Sequence, residues 1–181
     1  MRDYYHIIMF DSCVLFQAGD ALKKKLGLII GNAKVKGNLN FSSKELAFFS
    51  PKNEDDLKKA VEMTLPYGII NSELIFPKDS LHFIKSGIDD ALAKEMAKKK
   101  IAIVFNLSLI LASDSVKRAL IIRRMKENMK KAIKYDIPVL FASLAKDEYE
   151  LFNSQQIRAW AEYLGIGSFS RVKASFNKIF K

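Results

Sequence analysis

Lys85-Ser86-Gly87-Ile88-Asp89-Asp90-Ala91-Leu92-Ala93-Lys94 runs, through a short lysine-rich end, into Ile101-Ala102-Ile103-Val104-Phe105-Asn106-Leu107. In the first part Ile88, Ala91, Leu92 and Met96 are spaced for one apolar face, which predicts a helix from Ser86 to Lys99 opened by a Ser-Gly turn. The second part is continuously apolar, so it predicts a strand buried on both faces rather than one with a wet side. A helix feeding a buried strand is the unit of a mostly parallel sheet covered by helices.

The same rhythm extends in both directions. Tyr5 to Phe10 predicts a strand, and about Ser12 to Leu26 a helix, with Gly27 suited to its C-cap. Leu28 to Gly31 predicts the next strand. Lys34 to Ser43 is polar and predicts a loop. Leu46 to Ser50 predicts a third strand, and Glu54 to Thr64 a helix with acids in its first turn, where the dipole favours them. Tyr67 to Asn71 is a fourth strand, and Phe76 to Phe83 an irregular connection. A long helix capped by Ser113 or Ser115 reaches about Tyr135. Pro138 to Ala142 is a strand, and Ser154 to Leu164 and Phe169 to Phe180 are helices. Six or seven buried strands alternating with helices predict a single α/β domain over residues 1–181, either a barrel or a doubly wound sheet. A full eight-fold barrel takes about 250 residues, so a barrel of this length would be trimmed.

Composition narrows the partners. The 181 residues include 30 Lys+Arg and 20 Asp+Glu, a net charge of +10 with a pI near 9.6. Such an excess favours a polyanionic partner, either nucleic acid or an anionic membrane. The lone cysteine, Cys13, has no partner for a disulfide and reads as a small core residue. No apolar run approaches the roughly 20 residues of a membrane span. The first residues lack a signal-peptide pattern, so a cytoplasmic location is expected.

The charge is concentrated. Lys117, Arg118, Arg123, Arg124, Lys126, Lys130, Lys131 and Lys134 face Glu127 alone, eight cations less one acid, or +7. On a helical wheel Ile121, Ile122, Met125, Met129, Ala132 and Ile133 share one face. Arg123, Arg124, Lys130, Lys131 and Lys134 spread over the other. A solvated face usually mixes signs, and an unbroken cationic one repels itself, so phosphate binding explains it better. Arg118 falls on the core side, one turn from the helix start. It either reaches the mouth of the sheet with its guanidinium or pairs with an acid such as Asp114. Near the C-terminus Arg171, Lys173, Lys178 and Lys181 edge a second amphipathic, basic helix.

Self-contained catalysis finds little support. Metal hydrolysis needs clustered His and Asp, and the chain has only His6, inside an apolar strand, and His82, in a loop. Asp11 ends the first strand, where barrel enzymes place ligands, without an evident partner. Gly27 and Gly31 lack the spacing of a phosphate-cradling loop. No Ser-His-Asp or Cys-His set is apparent.

Taken in order, Lys85-Ser86-Gly87-Ile88-Asp89 with Ala91-Leu92-Ala93, Ile101-Ala102-Ile103 with Asn106-Leu107, Lys117-Arg118-Ala119 with Arg123, Met125 and Asn128, Lys134-Tyr135-Asp136-Ile137-Pro138-Val139 and Leu164-Gly165-Ile166 resemble the ribonuclease P protein component 3 family of archaea and eukaryotes. The likeness covers Tyr67 to Ile166, and residues 1 to 66 match by strand-helix rhythm. It implies a trimmed TIM-like (β/α) barrel related to the PHP phosphoesterases but without their histidine set. It further implies an RNA-binding, non-catalytic subunit of an endoribonuclease, a hydrolase of tRNA processing. The RNA would carry the Mg²⁺-dependent removal of the 5′ leader from precursor tRNA, with no cofactor or metal held by the protein. The implied partners are ribonuclease P RNA, ribonuclease P protein component 2 and, indirectly, precursor tRNA, with no membrane. The candidate RNA-binding residues are Lys85, Lys117, Arg118, Arg123, Arg124, Lys130, Lys131, Lys134, Arg171 and Lys173. Two positions depart from the family pattern: Ser108 stands where an arginine is usual, and Phe152-Asn153-Ser154-Gln155-Gln156 replaces a basic segment. The enzyme alternative is a degenerate PHP-type phosphoesterase using Asp11, His6 and His82.

Overall fold

The computed structural model describes residues 9–11, 28–30, 34–37, 47–63, 66–145 and 148–166. In chain order these form β1 (Met9–Asp11), β2 (Leu28–Ile30), β3 (Lys34–Lys36), β4 (Ala47–Phe49), α1 (Glu54–Met63), β5 (Gly68–Ile70), α2 (Asp90–Lys99), β6 (Ala102–Asn106), α3 (Leu107–Leu111), α4 (Ser115–Tyr135), β7 (Val139–Ala142) and α5 (Ser154–Leu164). Short 3₁₀ turns occupy Ser72–Leu74 and Glu148–Glu150. The helices predicted over Ser12 to Leu26 and Phe169 to Phe180 lie outside the described residues, as do Cys13, His6, Arg171 and Lys173.

All seven strands pair in parallel, in the order β2-β1-β7-β6-β5-β4-β3. This is the cyclic order of a barrel, but closure is not observed. Among the described residues no ladder joins β2 to β3, and the expected barrel is corrected to an open parallel sheet. The reason is covalent. β2 and β3 are consecutive and three residues apart, whereas parallel neighbours need a crossover of a dozen or more. The same short link bends the sheet. Ile30 and Lys34 lie at most ~14 Å apart along the chain, whereas the edges of a flat seven-stranded sheet would be ~29 Å apart. Lys34–Lys36, which its polar neighbours predict to be loop, pairs with Ala47–Phe49 instead.

β4 to β7 feed two cores, because successive side chains point to opposite faces. Phe49, Ile69, Ile103, Phe105, Val139 and Phe141 meet the helices through Leu57, Met96, Met125, Met129, Ile157 and others. Phe48, Ile70, Ala102, Val104, Leu140 and Ala142 form a second cluster on the other face. That face is tight: a Cβ at Gly68 would lie 2.6 Å from Val104 Cγ2 and 3.1 Å from the Ala102 carbonyl. Continuous apolar strands predict such burial on both faces.

The helices keep their predicted places with altered ends. α2 begins at Asp90 rather than Ser86, with Asp89 as its cap, accepting from the Leu92 amide at 2.7 Å. Asp114, between the two serines expected to do so, caps α4 through the Lys117 amide at 2.9 Å. That amide holds the Asp114 carboxyl below its usual range. Asp136, left-handed at φ 55°, ends α4, with Pro138 shortly after. Asn153 and Gln156 form a reciprocal capping box on α5.

Candidate nucleic-acid interface

α4 is the longest helix among the described residues, and it touches α2, α3, α5, β6 and the Ser72–Leu74 turn. Its buried stripe is Ile121, Arg124, Met125, Asn128, Met129 and Ala132. These positions repeat at three- and four-residue steps, the regular core face of a helix. Two of the six are polar, and the wheel built from apolar residues alone missed them.

Arg124, expected on the outward cationic face, is therefore corrected to a core position, 2% exposed. Its Nε donates to Asp79 Oδ1 at 2.9 Å, and its Nη1 to the carbonyls of Glu73 and Phe76 at 2.8 and 2.6 Å. Its Nη2 lies 2.9 Å from the same Asp79 oxygen. A buried guanidinium is tolerated only with such a set of acceptors. Burial alone would raise the Asp79 carboxyl, but the Lys85 amide and Arg124, with Arg123 behind, hold it below the usual range. Asn128, fully buried, donates to Ser72 Oγ, Glu73 Oε1 and the Ser86 carbonyl at 3.1, 2.9 and 2.9 Å. Burial pushes the Glu73 carboxyl up to about 7, against the pull of Asn128, Ser72 and Arg124.

Lys131 completes this clasp. It donates to Ser86 Oγ at 3.0 Å and to the Ile88 carbonyl at 2.5 Å, and its half-buried setting lowers its pKa. Gly87 sits at φ +91°, and a Cβ there would lie 2.2 Å from the Ser72 carbonyl oxygen. The Ser86-Gly87 turn is thus shaped by contact with the 72–74 segment and with α4. Arg124 and Lys131 are thus engaged in holding residues 72–88.

The remaining candidates face outward. Lys117 and Arg123 are exposed and form no ion pair among the described residues. Lys130 is exposed and pairs with Glu127 at 2.5 Å. Lys134 lies 3.5 Å from Asp90, and its pKa is raised first by Tyr135 and then by Asp90. Lys85 is exposed, with Nζ 5.2 Å from the Phe76 ring centre. Arg118 follows neither of its two expected courses. It is exposed, yet donates to the carbonyls of Ile110, Leu111 and Ser113 at 2.9, 3.4 and 2.8 Å, satisfying the end of α3. Lys126 stands over Tyr163 at 3.8 Å, tying α4 to α5.

At the C-terminal ends of β4 to β7, on the edge where open α/β folds place ligands, the described side chains Ser50, Asn71, Asn106 and Ser143 are uncharged. Asn106 donates to Asn71 at 2.9 Å, Asn71 to Ser50 at 3.1 Å, and Ser108 to the Ser143 carbonyl. Asn71 adopts φ 61° to do so. This row offers no general base, and nothing in the sequence singled it out. Ser108 thus serves a structural bond where the family places an arginine. Phe152, at the other departure, is 7% exposed in the main core. His82 is exposed in the 78–85 loop. No three His, Cys, Asp or Glu side chains converge as a metal site would require among the described residues. No helix there is long and apolar enough to cross a membrane.

Fold and surface together define a basic α/β protein on a parallel sheet, with an outward cationic face on its longest described helix. The chain is a relative of ribonuclease P protein component 3. Curated proteins of that name from Methanocaldococcus jannaschii (33% identity over 79 residues, 44% of this chain), Methanosarcina mazei (33% over 81 residues, 45%) and Archaeoglobus fulgidus (28% over 78 residues, 43%) match it. The match spans 34 to 39% of those relatives' own lengths. A chain of the cryo-EM structure of archaeal ribonuclease P with mature tRNA shares the fold, with a TM-score of 0.70 at 19% identity over 95% of this chain and 79% of that one. No family model matches the chain.

Proposed function

We propose that this protein is an RNA-binding, non-catalytic subunit of a ribonuclease P particle. In that particle the RNA performs the Mg²⁺-dependent removal of the 5′ leader from precursor tRNA. The observation that carries the reading is the exposed row Arg123, Lys130 and Lys134 along the outward face of α4, with Lys117 exposed in the first turn of that helix, in a chain related to component 3. Its contacts would be to ribonuclease P RNA, with ribonuclease P protein component 2 as neighbour and precursor tRNA met indirectly. Phosphate contacts of this kind position an RNA without reading its sequence, which suits a row of flexible cations.

Binding to ribonuclease P RNA and to an unrelated RNA of equal length, followed across salt concentrations, tests the reading. Each phosphate neutralised contributes about −0.7 to −0.9 to the slope of log K against log salt. A preference for ribonuclease P RNA, with affinity and slope both reduced by a combined Lys117→Ala and Arg123→Ala change, is expected. Equal binding to both RNAs, insensitive to those changes, would overturn it.

A further inference from the structure

Residues 78–85 form a turn that is rigidly held yet displays apolar side chains. The Ser80 amide donates to the Phe83 carbonyl, and the Phe83 amide to Ser80 Oγ, each at 3.1 Å. The base of the turn is fixed by the Lys85 amide on Asp79 at 2.9 Å and by buried Arg124 on that same carboxylate. At the tip Leu81 is 93% and Phe83 74% exposed, with exposed His82 between them. A single exposed leucine needs no explanation. Here, however, an ordered turn spends its hydrogen bonds on holding an aromatic ring in water.

The surroundings indicate what the ring meets. Lys78, Lys85 and Arg123 are exposed around the turn. The one acid in the turn, Asp79, is consumed by Arg124. Arg123 lies close enough to act on Asp79 electrostatically, which puts the outward face of α4 beside the loop. An apolar, aromatic tip set among cations matches the two faces of an unpaired nucleotide. The base stacks on a ring, and its phosphates meet Lys and Arg. We infer that the Leu81-His82-Phe83 tip is a stacking site for an unpaired RNA base, with Phe83 as the platform and Lys78, Lys85 and Arg123 on the flanking phosphates. This rests on the RNA-binding reading above and adds to it the kind of RNA element bound.

The test uses the full chain and one short mixed-sequence RNA, fluorescently labelled, as a single strand and as a blunt duplex. The wild type should prefer the single strand. Phe83→Ala should weaken single-strand binding about 5- to 150-fold, the range for losing one stacked base. Duplex binding and the salt slope should stay unchanged, because no charge is removed. Phe83→Trp should keep the preference, and Leu81→Ala should weaken it in part. Both side chains are exposed, so the variants should melt like the wild type. Wild-type binding by Phe83→Ala would overturn the inference while leaving the cationic face of α4 in place. Full affinity in Phe83→Leu would also overturn it, because an apolar contact with a protein would then suffice. Binding of neither RNA form by the wild type would sink both this inference and the reading beneath it.

Discussion

Arg123 and Arg124 are consecutive in α4, yet one stands in water on the outer face while the other is 2% exposed and bound to three acceptors from residues 73–79. The whole helix divides in the same way. Its inner face, Arg124, Asn128 and Lys131, grips residues 72–88, and its outer face, Arg123, Lys130 and Lys134, is turned to solvent, as is Lys117 in the first turn. Charge of the same sign therefore meets two different environments a few ångströms apart. A lone acceptor set far along the chain decides which task a given arginine takes.

The sharpest way to break the comparison is to remove the inner arginine. Arg124→Ala leaves Asp79 buried without its partner and should cost about 3–5 kcal/mol, read by denaturant unfolding. Arg124→Lys should recover only part of this, because an ammonium cannot reproduce the fork. The next effect concerns Glu73. Its folded pKa, about 7, lies above that of the unfolded chain. Its contribution is therefore complete below about pH 4.5 and fades as pH rises toward 7, a loss of up to about 3 kcal/mol. Unfolding measured at pH 5 and pH 8 should show stability falling with pH, and Glu73→Gln should flatten that dependence.

Gly87→Ala should follow. The Cβ meets the Ser72 carbonyl at 2.2 Å, and the positive φ adds strain. A cost of at least about 1–3 kcal/mol is expected, measured as a lowered unfolding midpoint. If it is tolerated, the 72–88 grip is looser than described. The smallest effect on stability belongs to the outer face. Arg123→Ala should stay within about 0.5 kcal/mol of the wild type while lowering the salt slope of RNA binding by about 1. An Arg123 variant as unstable as the Arg124 one would erase the distinction between the two faces.

The sheet and most helices were legible from the sequence because their signals are local. Continuous runs such as Ile101 to Phe105, and capping side chains next to the helices they cap, need no distant partner to be recognised. Openness of the sheet was legible only in part. The three residues between Ile30 and Lys34 forbid parallel pairing there, but Lys34-Val35-Lys36 looks like loop until its partner Ala47–Phe49 is known. The site was legible at half resolution. Lys117, Arg123, Lys130 and Lys134 face outward as their charge predicts. Arg124 and Lys131 do not, because their acceptors lie elsewhere in the chain, and exposed Arg118 turns back to the carbonyls of Ile110, Leu111 and Ser113. The one available cue was spacing: positions 121, 124, 125, 128, 129 and 132 make a more regular core stripe than the apolar residues alone. The Asn71–Asn106 row left no such cue, since lone asparagines look like any turn.

The bonds between α4 and residues 72–86 also have a consequence for how the chain is made. The donors on Arg124 and Asn128 reach 42 to 56 residues back. At a synthesis rate of about 5–20 residues per second, residues 72–86 wait several seconds or more before their partners exist. Until then Glu73 lacks its amide donor, and the turn bearing Leu81 and Phe83 has only its own local bonds, without Arg124 on Asp79. A nascent or truncated chain that stops before Ser115 holds all the residues of that turn and none of the helix that fixes its shape.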